Sequence, residues 1–342
     1  MSRLALVALS AAIALGTGIA SGSTGESLGA RASRPVAFVP LGAFPQAEAK
    51  ALARSLGRAT GLPMRVLPPT AVPRSTYNPS RKQHVSEELI DVVAAQRRVA
   101  GANEVLIGLT TLDMHPRNVP TYRFTFTTWH PSGLAVVSRA RMDPAALGLA
   151  PDPALRTRRL RKMVLKLVGV LALGMSQNRN PRSALYDVIL SADDLDFMTE
   201  EFKPRSPSRA RQTWLDRAGD VCDRGVVEAK ALIARSPVAT PTEVVAFARE
   251  SIALEARNRA QLAALNPAPE DRAAVKSLLA LFAKTVSTDR AAVAKLEARW
   301  SEATLGAWVR ASFRNSLALK SRALELGSRE CGRYFEPATY VR

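Results

Sequence analysis

Residues 163–175 constrain this chain more than any other segment. They read MVLKLVGVLALGM, with Lys166 the sole ionisable side chain. A helix of that composition has no face to offer water, so protein must enclose it. It is too short to cross a bilayer, which takes about 20 residues. The helix is expected to start upstream near Pro153, where Arg156, Arg158, Arg159, Arg161 and Lys162 make its first half basic and, by expectation, solvated. A central helix under a sheet would bury one end in this way.

The elements that would build the sheet come first. Val36–Leu41 reads as a short buried strand, and residues 46–58 place Ala49, Leu52 and Leu56 on one helical face, with Gly61 as a stop. Residues 64–67 read as a strand. Ser86 is the expected N-cap, with Glu87 and Glu88 in the first turn, of a helix running to about Val99. Residues 104–109 form a third strand, and 123–128 with 135–141 a hairpin around Pro131, Ser132 and Gly133. The order is β-α-β-α-β-β-β, an α+β domain with a mixed sheet and a central helix.

From residue 211 to Gly327 the pattern is helical. Thr240, Pro241 and Glu243 form a capping box with proline at the first helical position. Pro267 and Pro269 separate the second helix from the third, whose stripe is Val275, Leu279, Phe282, Val286, Val293, Leu296 and Trp300. The fourth places Leu305, Val309, Phe313, Leu317 and Leu324 similarly. An all-α four-helix bundle is expected. The division is then 1–34 as leader and spacer, 35–204 as the mixed domain and 205–342 as the bundle.

The first 20 residues hold a cation at Arg3 followed by a mostly apolar run, the layout of a secretory signal or of an uncleaved N-terminal anchor. Either implies export: secreted, periplasmic or membrane-anchored. The net charge of +18 invites an anionic partner. Lys and Arg outnumber Asp and Glu by 23 to 15 from residue 205 onward and by 25 to 15 before it, so the excess is spread. With 6% aromatic residues and no stacking motif, nucleic acid is not an expected partner. Anionic envelope polymer or lipid suits an exported protein better. Cys222 and Cys331 would meet an oxidising compartment. They either bridge or remain two buried thiols.

Specific residues sit in this order of elements: Val39-Pro40-Leu41-Gly42 after the first strand, Thr76-Tyr77-Asn78-Pro79-Ser80-Arg81-Lys82-Gln83 before the second helix, then Ile107 to Asp113. With Phe124 to Phe126 and Ala135 to Arg139, the region 36–202 resembles the archaemetzincin family of zinc peptidases. That family carries H-E-x-x-H-x-x-G-x-x-H-C on the central helix, then C-x-M and a late C-x-x-C. Two His one turn apart and a third beyond the Gly grip zinc, while the Glu is the general base for its water.

Asn180-Pro181-Arg182-Ser183-Ala184-Leu185 stands where the family has C-x-M, which puts Gly174 at the motif glycine. The ligand positions are then Leu167, Leu171 and Gln177, and the base position is Val168. A shift of one residue gives Lys166, Val170 and Ser176, with Leu167 as base. Asn178 and Ser183 stand at Cys positions, and Leu185 replaces the Met. A hydrocarbon side chain has no lone pair to donate, so neither register supports zinc peptidase chemistry. No catalytic residue, metal or cofactor is expected here.

Elsewhere, His84, His115 and His130 are expected on separate loops without ligand spacing. Asp193, Asp194 and Asp196 read as capping at a helix start before any calcium role. The second half is similar to small exported helical domains of bacteria, a resemblance that implies fold only. Three functions follow as expectations. The first is a non-catalytic pseudopeptidase that binds a peptide or protein partner. The second is an enzyme using Lys166, Gln177, Tyr186 or Asp187. The third is a structural protein holding anionic polymer.

Overall fold

The computed structural model describes residues 33–336 except 120, 149–150, 205 and 237–239. The expected signal or anchor segment and the bundle's expected first residue lie outside the described residues. Among those described, no helix is long and apolar enough to cross a membrane.

β1 (Val36–Leu41), β2 (Met64–Val66), β5 (Val105–Thr110), β8 (Leu134–Ser138) and β7 (Thr127–His130) form one sheet in the order β2-β1-β5-β8-β7. All neighbours are parallel except β7 and β8. β1 and β5 are buried at every position because both sheet faces are covered, which is why they read as unbroken apolar runs. Val36 and Phe38 face a core shared with α1 (Gln46–Thr60) and α3 (Pro153–Leu167). Ala37, Val39 and Leu41 face α2 (Ser86–Ala94). This is the expected mixed sheet with its central helix.

A second, small sheet is added: β3 (Tyr77–Asn78), β4 (Gln83–Val85) and β6 (Met114–His115). It explains two departures from expectation. β4 runs straight into α2, so Val85 occupies the cap position, and the Ser86 hydroxyl bonds Glu87 and accepts from Thr128 instead of capping. The outer hairpin strand starts at Thr127 rather than at residue 123, because Thr125 N donates to Met114 O and Arg123 O accepts from Gln83.

The basic half of α3 is solvated only in part: Arg158 is exposed, and Arg156 and Arg161 are half-buried. Arg159 and Lys162 are buried; Arg159 grips Asp196 through two bonds of 2.8 and 2.7 Å, and Lys162 donates to Leu195 O and Asp196 O. Asp196 lies on α4 (Ala192–Phe197). Arg156 pairs with Asp143 and Arg161 with Glu200.

The second half holds four long helices, α5 (Arg209–Arg235), α6 (Pro241–Ala264), α7 (Arg272–Ala298) and α8 (Glu302–Leu326), and a short α9 (Arg329–Tyr334). α9 packs against both α5 and α8. Its Cys331 is disulfide-bonded to Cys222 of α5, so the bridge rather than the thiol pair is what forms. On α8 the expected stripe is buried only near its end: Leu324 is buried, whereas Val309 and Phe313 are exposed. The described residues form one compact unit. Arg182 joins its halves, donating to Phe197 O on one side and to Leu324 O and Glu325 O at the end of α8 on the other.

Candidate functional site

The last turn of α3 carries Lys166 and Leu167; a wider π-helical turn, Val168–Ala172, carries Val168, Val170 and Leu171. One extra residue per turn is visible in the bond from Leu173 N to Val168 O, 3.1 Å. Gly174 then ends the helix with φ +65°, a left-handed backbone that favours glycine. Ser176 beyond it is exposed, and Gln177 and Asn178 are half-buried.

Leu167 and Val168 are fully buried and Leu171 nearly so, within the core that also holds Phe38 and Leu56. The returning segment lies against them. A Cβ on Gly169 would come within 2.7 Å of Leu185 Cδ2 and of Phe202 Cε1, so the glycine is what allows both side chains to touch the helix. Asn178 Nδ2 donates to Ser183 Oγ at 3.0 Å, and Ser183 in turn donates to Phe202 O and accepts from Leu185 N. The two positions matched to Cys are therefore brought together, as amide and hydroxyl bonded to each other. A catalytic zinc needs three donor side chains and an open coordination position. Here it would meet hydrocarbon, so these residues do not fit zinc.

Lys166 is enclosed, and its Nζ reaches one acceptor, Asp187 O at 3.4 Å. Burial pulls its amine down to about 8, against the opposing pull of the Asp187 charge. Asp187 spends one carboxylate oxygen on Arg179 at 2.8 Å; the other, Oδ1, is enclosed without a hydrogen-bond partner. Tyr186 packs half-buried against the lower core.

The acidic cluster does its work locally. Asp194 closes a capping box with Ser191, Asp193 pairs with Lys320 of α8 at 2.6 Å, and Asp196 holds Arg159. The histidines are not loop residues. His84 and His115 lie on the paired strands β4 and β6, with His115 buried, and only His130, at the end of β7, is exposed. Among the described residues no group of three or more His, Cys, Asp or Glu is placed to hold a metal ion.

Two acids went unread in the sequence, half-buried Glu255 on α6 and buried Asp289 on α7. Glu255 Oε2 is sealed and has no hydrogen-bond partner, and burial together with the Asp289 charge pushes its carboxyl up to about 8. Asp289, also raised by burial, accepts from Trp308 Nε1 at 2.8 Å. The signal was present: Asp289 falls between Val286 and Val293 on the apolar stripe, and Glu255 three residues after Ile252.

No family model and no curated protein matches the chain. Three solved structures are similar over 49% of it. A zinc-dependent peptidase from Methanocorpusculum labreanum has 18% identity and TM-score 0.42, with 95% of that chain covered. Archaemetzincin from Archaeoglobus fulgidus, complexed with malonate, has 23% and 0.39, with 94% covered. Archaemetzincin from Methanopyrus kandleri has 21% and 0.38, with 89% covered.

These neighbours are archaemetzincin-like zinc peptidases. The first half of the chain is a mixed sheet with helices, and the second half is helical.

Proposed function

We propose that this chain is an exported, non-catalytic pseudopeptidase that serves as a binding or scaffolding protein of the bacterial envelope. One observation carries the reading. In either register, the helix positions that would hold zinc and its base are Leu, Val, Gln, Lys or Ser, and Leu167, Val168 and Leu171 are sealed into a hydrocarbon core. The Cys222–Cys331 bridge supports an oxidising compartment. The test is metal content of the purified chain by plasma mass spectrometry, run beside cleavage of unstructured peptides. Zinc well below stoichiometric and intact peptides are expected; one zinc per chain together with cleavage overturns the reading.

A second reading keeps Lys166. Its amine, lowered to about 8 beside Asp187, has the chemistry of a nucleophile or base. Catalysis by Lys166 predicts a turnover that Lys166→Ala abolishes and that follows ionisation near that pH; a Lys166→Ala chain with unchanged turnover removes this alternative.

A further inference from the structure

A surface groove of about 420 Å3 opens between the start of α5 and the segment after α6, lined by Arg209, Thr213, Trp214, Arg217, Leu265 and Asn266. Arg209, Thr213 and Arg217 recur at four-residue steps and so share one helix face. Both arginines are exposed, and neither forms an ion pair among the described residues. Arg211, on the same helix, is by contrast paired with Asp271.

Trp214 is 4% exposed, and its Nε1–H is enclosed without a hydrogen-bond partner. A buried donor is costly to leave unmatched. Trp308, the indole on α8, is matched by Asp289. The groove therefore combines two guanidiniums, a hydroxyl and an amide, with Trp214 in its wall and no carboxylate among its lining residues. It also lies at the positive end of a 27-residue helix whose first turn holds no acid. Glu270 bonds the cap hydroxyl of Ser208 but does not line the groove.

We infer that this groove binds a phosphate group carried on a small organic body. Arginine's planar fork matches phosphate oxygens. Arg209 and Arg217 stand about 12 Å apart along the helix axis, so a ligand that meets both side chains needs a body beyond its phosphate. Trp214 and Leu265 supply apolar surface for the organic part. The ester comes either free or as a lipid headgroup, and the two share this chemistry. The inference is independent of the proposed function: zinc with cleavage would overturn that reading and leave the groove untouched.

The test is calorimetric titration of the full chain with glycerol 3-phosphate, and in parallel with phosphatidylglycerol vesicles against phosphatidylcholine vesicles. Saturable binding that weakens with salt is expected. The double variant Arg209→Gln/Arg217→Gln, altered only at exposed positions, should bind about tenfold or more weakly. Trp214→Phe keeps the ring and loses the unmatched N–H; it should raise the melting temperature of the free protein. Vesicle binding lost in the double variant supports the inference with lipid as the source. Vesicle binding that persists in it, equal affinities of the native chain and the double variant, or no saturable heat with either the ester below about 10 mM or the vesicles overturns the inference.

Discussion

Replacing Glu255 by Gln should make this protein more stable at neutral pH, although nothing is gained in packing. Burial, helped by the Asp289 charge, lifts the Glu255 carboxyl from 4.5 to about 8. Between those values the unfolded chain releases the proton and the native chain keeps it. The native state binds more protons, so stability falls as pH rises through that window. The loss is about 1.4 kcal/mol per pH unit, which reaches about 3 kcal/mol at pH 7 and about 4 kcal/mol at pH 8, where the native carboxyl itself begins to ionise. Gln has nearly the same shape as the neutral acid and does not titrate. Urea midpoints of the two proteins should therefore agree near pH 4 and diverge steadily above pH 5, with the Gln variant ahead. Asp289, raised in the same direction, leaves a smaller downward slope in the variant. Parallel curves from pH 5 to 9, or a variant weaker throughout, would refute the idea that a sealed, partnerless Oε2 dominates this region.

Opening the Cys222–Cys331 bridge, which spans 109 residues of sequence, should cost about 4 to 5 kcal/mol through chain entropy. An unchanged urea midpoint with and without reductant would contradict that. Arg159→Met removes the guanidinium from a buried carboxylate and should cost about 3 to 5 kcal/mol by chemical denaturation, whereas adding Asp196→Leu should recover much of the loss. Lys166 behaves oppositely to Glu255. Its native amine titrates near 8 and its unfolded amine near 10.5, so the native state holds fewer protons in between and stability rises with pH there. Below pH 8 the full penalty of about 3 kcal/mol is present, and Lys166→Met should relieve it in a melt at pH 7 but not at pH 11.

Much of the fold was legible along the chain because it rests on local rules. β1 and β5 appear as apolar runs, Gly61 and Gly327 end helices in left-handed backbone, and Thr240 with Glu243 closes a capping box. The chemistry of the residue types on the central helix was legible too, since Leu167, Val168 and Leu171 carry no lone pair wherever they point. The small sheet was not: β3, β4 and β6 are two or three residues each, too short to show a period, and β6 joins it through a pairing with β4 about 30 residues away in sequence. The histidines were misplaced for the same reason.

The sequence by itself determined that the apolar half of the central helix must be buried. Only tertiary structure decided what encloses it. Leu185 and Phe202 meet Gly169, and Arg159 and Lys162 turn inward to Asp196, because partners far along the chain supply the contacts and counter-charge. The same holds for Trp214, Glu255 and Asp289. A residue's type states what it can bond, but whether water or protein surrounds it is fixed by packing.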